Sequence, residues 1–293
     1  MKTIIGLGQA GCNIAEKFKK YPQYEIFKID VGLKNETNSY AMERQENPEL
    51  YESKCPNFKA FFKEVSNDIL FITSSGKISG ASLRILEQLK NKSKNISILY
   101  VKPDLSLLSS ASRLQENLIF HVLQEYTRSA VFEKIYLIDN VILADIIGDV
   151  PVKEHYNYLN EVVVSTMHMI NVFNNSEAIM DNFAPSIETA RMSTLGLVDS
   201  ETGEERLFFD LVIPREKKYY YAYPEKILDS DGTLMKKIKK YIKNNIEHDK
   251  MRVNYGIFST NYEQPYAYCI SNSTLVQENK KNTWQRAKIQ IYW

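Results

Sequence analysis

The chain has 293 residues, with 37 lysines and arginines against 36 aspartates and glutamates and a formal net charge of +1. Hydrophobic residues make up 44% and charged residues 25%, which fits a globular protein of one large domain or two modest ones. These figures leave no charge excess to draw it to nucleic acid or a membrane surface, and no apolar run reaches the roughly 18 residues of a membrane span.

The first half alternates strand and helix. "KTIIGL", "YEIFKID", "DILFIT", "ISILYVK" and "KIYLID" are short, β-branched and apolar on both faces, as in a parallel sheet covered by helices on both sides. Helices are expected between them at "GCNIAEKFKK", "NFKAFFKEV", "GASLRILEQLKN" and "ASRLQENLIFHVLQEYTR". Pro151 closes that series. Glu154 to Val172 then reads as one long helix, apolar most of the way round and therefore buried between layers. Beyond Asn175, "RLFFDLVI", "KKYYYAYP", "RVNYGIFST", "YAYCISN" and "AKIQIYW" read as strands, and "TLMKKIKKYIKNNIE" as a basic amphipathic helix. The expected fold class is α/β. A parallel, Rossmann-like nucleotide-binding half spans residues 1–152, a central connecting helix 153–176, and a smaller α+β half 177–293. The three cysteines, Cys12, Cys55 and Cys269, are far apart and odd in number, which argues for a reducing compartment without disulfides. No signal-like segment opens the chain, so the expected location is cytoplasmic.

Two turns carry phosphate chemistry. Gly6, Gly8 and Gly11 form G-x-G-x-x-G between the first strand and first helix, and Asp30 ends the next strand about 20 residues on. Backbone N–H groups at such a turn can approach an anion. A nicotinamide or flavin enzyme fits this stretch, and so does tight strand–helix packing without a ligand. "FITSSGKISGASLRILEQL" places a second serine- and glycine-rich nest before a helix. Lys77 there either reaches a phosphate or is a solvated loop lysine.

The wording of "GLGQAGCNIA" resembles the first phosphate loop of the tubulin/FtsZ family, with Gln9, Ala10, Gly11 and Asn13 in register. Ser75, Gly76, Lys77, Ser79 and Gly80 stand where that family has G-G-G-T-G-S/T-G, with Lys77 and Ile78 departing from it. "KIYLIDNVILADI" resembles the tubulin segment C-I-D-N-E-A-L-Y-D-I, and Tyr156 and Asn160 keep the family's aromatic-to-asparagine spacing. "ENPEL" and "ILYVKPDL" are similar to further FtsZ loops. The resemblance covers about residues 1–185. It implies that Gly8, Gln9, Ala10, Gly11, Ser75, Gly76, Lys77, Ser79 and Gly80 bind phosphate. It also implies that Asn13, Asn140 and Asn160 contact guanine while Tyr156 stacks on it. The implied ligand is GTP or GDP, with Mg2+ admissible beside it and no metal site of the protein's own. The implied partner is a second copy of the chain, joined head to tail in a filament. No nucleic acid or membrane partner is expected. Small size and the lack of an acidic tail suggest a phage or plasmid type, which would place it in a host cytoplasm.

Hydrolysis is the weaker expectation. In this family a loop after the long helix, N-x-D-x-x-D/E, supplies carboxylates to the nucleotide of the next subunit. Here "AIMDNFAPSIE" sets Asn182 and Pro185 at the two acidic positions, leaving Asp181 and Glu188 as the nearest candidates for catalysis. Three readings follow: a GTP-binding cytoskeletal protein with weak or altered hydrolysis, a non-catalytic structural or assembly-regulating relative, and a Rossmann-type oxidoreductase. The last lacks any Ser/Tyr/Lys or His/Asp constellation for hydride chemistry.

Overall fold

The computed structural model describes residues 2–279; "AKIQIYW" lies outside the described residues. Six parallel strands build the first half: β1 (Lys2–Leu7), β2 (Tyr24–Val31), β3 (Ser39–Met42), β4 (Asp68–Thr73), β5 (Asn95–Lys102) and β6 (Lys134–Asp139). Their order is β3-β2-β1-β4-β5-β6, so the chain winds outward from β1 in one direction and from β4 in the other.

Both faces of this sheet are buried, which is why its strands read as continuous apolar runs. Ile5, Phe71 and Ile98 point into one core, under α2 (Pro48–Ser53), α3 (Ser82–Lys90) and α4 (Ser110–Arg128). Ile4, Leu70 and Leu99 point into the other, under α1 (Gly8–Lys17), α5 (Asn140–Ile147) and α6 (His155–Asn174). On α4 the buried positions Glu116, Ile119, Phe120, Leu123, Gln124 and Thr127 repeat at helical spacing. Ser109 caps that helix by accepting the Ser112 N–H at 3.2 Å. On α6 every residue from Leu159 to Phe173 is at least partly buried, as its apolar circumference requires.

The sheet does not stop at β6. β8 (Met192–Val198) adds parallel to it through Ile135 and Tyr136. Then come β12 (Tyr266–Ser273), β10 (Pro214–Pro224), β11 (Arg252–Thr260) and the two-residue edge strand β7 (Met180–Asp181). β12 runs antiparallel to both β8 and β10, while β10 and β11 are parallel. The carboxyl ends of β1, β4, β5 and β6 therefore share one end of the sheet. The amino ends of β6, β8, β10 and β11 share the other. α8 (Leu234–Asn244) seats Leu234, Ile238 and Ile242 against Tyr219 and Tyr221 of β10. The short α7 (Glu225–Ser230) leads into it.

Two expected elements differ. "NFKAFFKEV" is a run of turns, because Phe58 and Phe62 both bury into a cluster of rings with Phe27, Phe61 and Tyr40. In "RLFFDLVI" only β9 (Glu205–Leu207) is strand, and it pairs with β8. Phe208 and Phe209 still alternate into opposite cores, but the chain then turns on itself, with the Leu211 N–H donating to the Phe209 carbonyl at 3.0 Å and Ile213 at φ +50°, so the pairing stops. The first helix begins at Gly8, three residues earlier than expected.

Candidate nucleotide site

β1 and β4 lie side by side, Gly6 opposite Ile72, at the point where the winding direction reverses. Open α/β sheets form a crevice at such a switch point. A cavity of about 710 Å³ is found there. Gly8, Gln9 and Ala10 line it from the first turn, and Ser75, Gly76 and Lys77 from the second. The segment Glu46, Asn47, Pro48 and Glu49 closes another side, and Ala111, Leu114 and Leu118 of α4 form an apolar wall. That wall had no counterpart in the sequence reading.

The glycines divide by role. Gly8 has φ +72°, where an L side chain is strained, and a Cβ there would sit 2.8 Å from Ile78 Cγ2. Gly6 and Gly11 serve packing, since a Cβ on either would run into backbone, of Gly11 and of Ile72 respectively. Gly76 opens on free space, leaving its backbone accessible to a ligand. Gly80 lies against the Pro48 backbone, and buried Ser79 accepts from Gln115 Nε2 at 3.4 Å. Gly11, Ser79 and Gly80 thus stand behind the cavity, while the other six expected phosphate residues line it.

The electrostatics suit an anion. α1 starts at Gly8 without a side-chain cap, so its first N–H groups are unclaimed. Lys77 is exposed and has no ion pair among the described residues. No group of three or more metal-ligating side chains occurs among the described residues. Glu46 and Glu49 on the cavity rim fit what Mg2+ asks of a protein, one or two carboxylates beside phosphate oxygens.

The four expected base-contacting residues come from three helices. α1 and α6 run together, with Lys17 Nζ donating to Asn157 Oδ1 at 2.5 Å and to Glu161 Oε2 at 3.4 Å. Asn13 is one turn before Lys17, at the end of the pair where α6 carries Tyr156 and Asn160. Asn140 is the first residue of α5. Its position is pinned by Asp139, which is buried, accepts the Val141 N–H at 2.9 Å and pairs with Lys102 Nζ at 2.7 Å. The side chains of Asn13, Asn140 and Asn160 have no hydrogen-bond partner among the described residues. Tyr156 is 64% exposed. None of the four lines the 710 Å³ cavity. Asp30 does not line it either: burial raises its carboxyl, which accepts the Val31 N–H at 2.7 Å.

At the level of sequence, no family model and no curated protein matches this chain. Solved structures do. The GTPγS-form protofilament of Bacillus thuringiensis serovar israelensis TubZ superposes with a TM-score of 0.71 at 14% identity, covering 94% of this chain and 87% of that one. An empty FtsZ dimer of M. jannaschii gives 0.66 at 12% identity, covering 96% and 93%. A GDP-bound CetZ monomer from Haloferax volcanii gives 0.65 at 16% identity, covering 94% of each chain. The chain has the tubulin/FtsZ fold.

Within that fold Asp181 and Glu188 lie far from the cavity. Glu188 precedes β8, whose Met192 pairs with Ile135 near the start of β6. The six residues of β6 separate the two ends of the sheet by about 20 Å. Asp181 is paired with Gly256 on the edge strand, and its Oδ1 accepts the Phe183 N–H at 3.0 Å. Asn182 is tied to β11, its Oδ1 accepting the Tyr255 N–H at 2.6 Å. Neither carboxylate can reach the cavity of its own chain.

Proposed function

We propose that the protein is a guanine-nucleotide-binding subunit of a tubulin/FtsZ-like filament, assembling head to tail, with slow GTP hydrolysis completed by the next subunit. What supports this reading is a cavity at the β1/β4 switch point lined by both glycine-containing turns, together with three asparagine amides on α1, α5 and α6 that have no partner among the described residues. Phosphates would lie on Gly8–Ala10 and Ser75–Lys77, with Mg2+ held between them and Glu46 or Glu49. The base would extend toward Asn13, Asn140, Tyr156 and Asn160, outside the phosphate cavity. Residues 1–152 would hold the nucleotide, the helix 153–176 would join it to the interface, and 177–293 would present the opposite end to the neighbour. Asp181 and Glu188 would serve the neighbour's nucleotide, because their distance from their own cavity leaves no other route.

The test is the nucleotide released when purified protein is denatured, together with calorimetric titration of GTP and ATP. Guanine nucleotide and a preference for GTP support the reading; NAD or FAD in the released fraction defeats it. A second reading, a structural or assembly-regulating subunit without turnover, is favoured by one observation. Asn182 and Pro185 stand at the two positions where the family resemblance implies acids, and Asn182 is committed to the Tyr255 backbone. GTP binding with filaments but no phosphate release selects it.

A further inference from the structure

The end of the sheet opposite the nucleotide cavity holds a second recess, of about 440 Å³, between the start of β6 and segment 186–191. Lys134, Arg191, Ser186, Glu133 and Glu188 line it. Lys134 Nζ donates to Asn272 Oδ1 at 3.3 Å, and no carboxylate pairs with it among the described residues. The nearest buried acid is already committed. Glu216 Oε1 accepts from Arg252 Nη2 at 2.5 Å and Nε at 3.2 Å, and Oε2 accepts from Asn272 Nδ2 at 3.0 Å. Burial, with Lys218 and Arg191 adding to it against the pull of Glu216 and Glu133, pushes the Lys134 amine down to about 8. Arg191 turns Nη1 to the Glu133 carbonyl at 2.7 Å and lies 3.5 Å from the exposed Glu133 carboxylate.

A half-buried ammonium with no carboxylate in contact is only partly compensated, because Glu216 is shared with Arg252 and Glu133 is exposed. In a polar recess open to solvent, that deficit is relieved by an oxyanion. We propose that this recess is a phosphoryl site in which Lys134 and Arg191 hold the terminal phosphate of the nucleotide bound to the next copy. The assignment rests on the head-to-tail reading above. A heterologous stack along the strand direction brings the end of the sheet that holds the recess against the end that holds the cavity of the next copy. Cations placed there stabilise charge developing on the transferred group. Glu188 shares the recess and accepts a proton from the attacking water. The water oxygen bonds to the γ-phosphorus as the bridging oxygen departs on GDP, so the products are GDP and inorganic phosphate.

The first measurement is pelleting of wild-type protein with GTPγS. Absence of filaments there removes the head-to-tail reading and the neighbour's nucleotide with it, while the oxyanion site is judged separately. For that, inorganic phosphate is titrated into dilute GDP-saturated protein at constant ionic strength set with chloride. Phosphate at ten times its Kd should raise the melting temperature by about 3 °C in the wild type and not in Lys134→Gln or Lys134→Met. An equal rise in the variants overturns the site. In filaments, Lys134→Gln and Arg191→Gln should pellet as the wild type does and release phosphate at least about tenfold more slowly per pelleted subunit. Mixing Lys134→Gln with an Asn140→Ala, Asn160→Ala subunit, which lacks the proposed base contacts and so binds GTP poorly, should restore turnover, since the second supplies Lys134 to the first. A phosphate-dependent stabilisation with unchanged turnover overturns the assignment to a neighbour's nucleotide and makes free phosphate the ligand.

Discussion

Replacing Asn160 with alanine separates recognition of the base from stability of the fold. The Asn160 amide has no partner among the described residues, whereas Leu159 beside it is 2% exposed and carries that turn of α6 into the core. Removing the amide breaks no internal hydrogen bond, and alanine is the better helix former by about 0.5 kcal/mol. The unliganded protein should therefore melt at the same temperature or about 1–2 °C higher. Binding behaves differently. If the amide pairs with guanine, its loss leaves a polar edge of the base unsatisfied at about 1–3 kcal/mol, or about 5- to 150-fold in Kd. ATP presents a different pattern of donors and acceptors and should change by less than about twofold. Isothermal titration of GTP, GDP and ATP at fixed salt measures all three. Equal losses for GTP and ATP, or an unchanged Kd for GTP, would refute the placement of the base between α1, α5 and α6.

Three further outcomes are expected. Lys77→Ala should weaken GTP more than GDP, by about tenfold at low salt and less at high salt, if its free ammonium meets the terminal phosphate; titrations at two salt concentrations decide it. Glu116 is held above the usual carboxylate range, chiefly by burial, with Asn279, Lys102, Tyr100 and His121 opposing. A raised folded-state value means that its stabilisation is full below the unfolded carboxylate value and is lost as pH rises through the folded one. Glu116→Gln should therefore stabilise the protein at pH 7.5 and not at pH 4, in urea melts, with the Asn279 amide, whose Nδ2 now donates to Glu116, turning so that its Oδ1, unpartnered among the described residues, accepts from the new amide. The Asp181→Ala, Glu188→Ala double variant should bind GTP normally and release phosphate at least about tenfold more slowly, and wild-type release should rise faster than linearly with protein concentration.

What the sequence made legible was local chemistry. The five core strands of the first half could be read because burial on both faces demands unbroken apolar runs, as in Ile69 to Ile72. The first of the two turns that line the cavity was legible because Gly8 holds a backbone geometry that a side chain would spoil, and the second because its serines and Gly76 leave the backbone open. Strand β8 escaped notice because Ser193 and Thr194 put buried hydroxyls where a core strand is expected to be apolar. Their partners, Asn272 and the Leu137 carbonyl, are distant in sequence. The phenylalanines at 58, 61 and 62 mimic helical spacing, yet it is ring packing that places them. Lys134 is the extreme case. At the start of a strand it reads as a solvated end, and only the fold reveals that Glu216 is taken by Arg252 and that no acid among the described residues pairs with Lys134.

The same non-local logic bears on the carboxylate that position 182 lacks. Restoring an acid there looks like a repair, but the Asn182 side chain anchors its loop to β11. Oδ1 accepts the Tyr255 N–H at 2.6 Å while Nδ2 donates to the Val253 carbonyl at 3.5 Å. In Asn182→Asp the first bond survives and gains charge. The second becomes an oxygen facing an oxygen, in an exposed loop where water relieves part of the repulsion. The net cost should be about 1 kcal/mol or less, read as a small drop in the urea midpoint. The new carboxylate remains held against its own β11 and does not extend toward a neighbour. Phosphate release per pelleted subunit should then stay within about twofold of wild type. A tenfold rise would show that the loop lets go of Tyr255 in the filament, and that position 182, rather than Asp181 or Glu188, faces the attacking water.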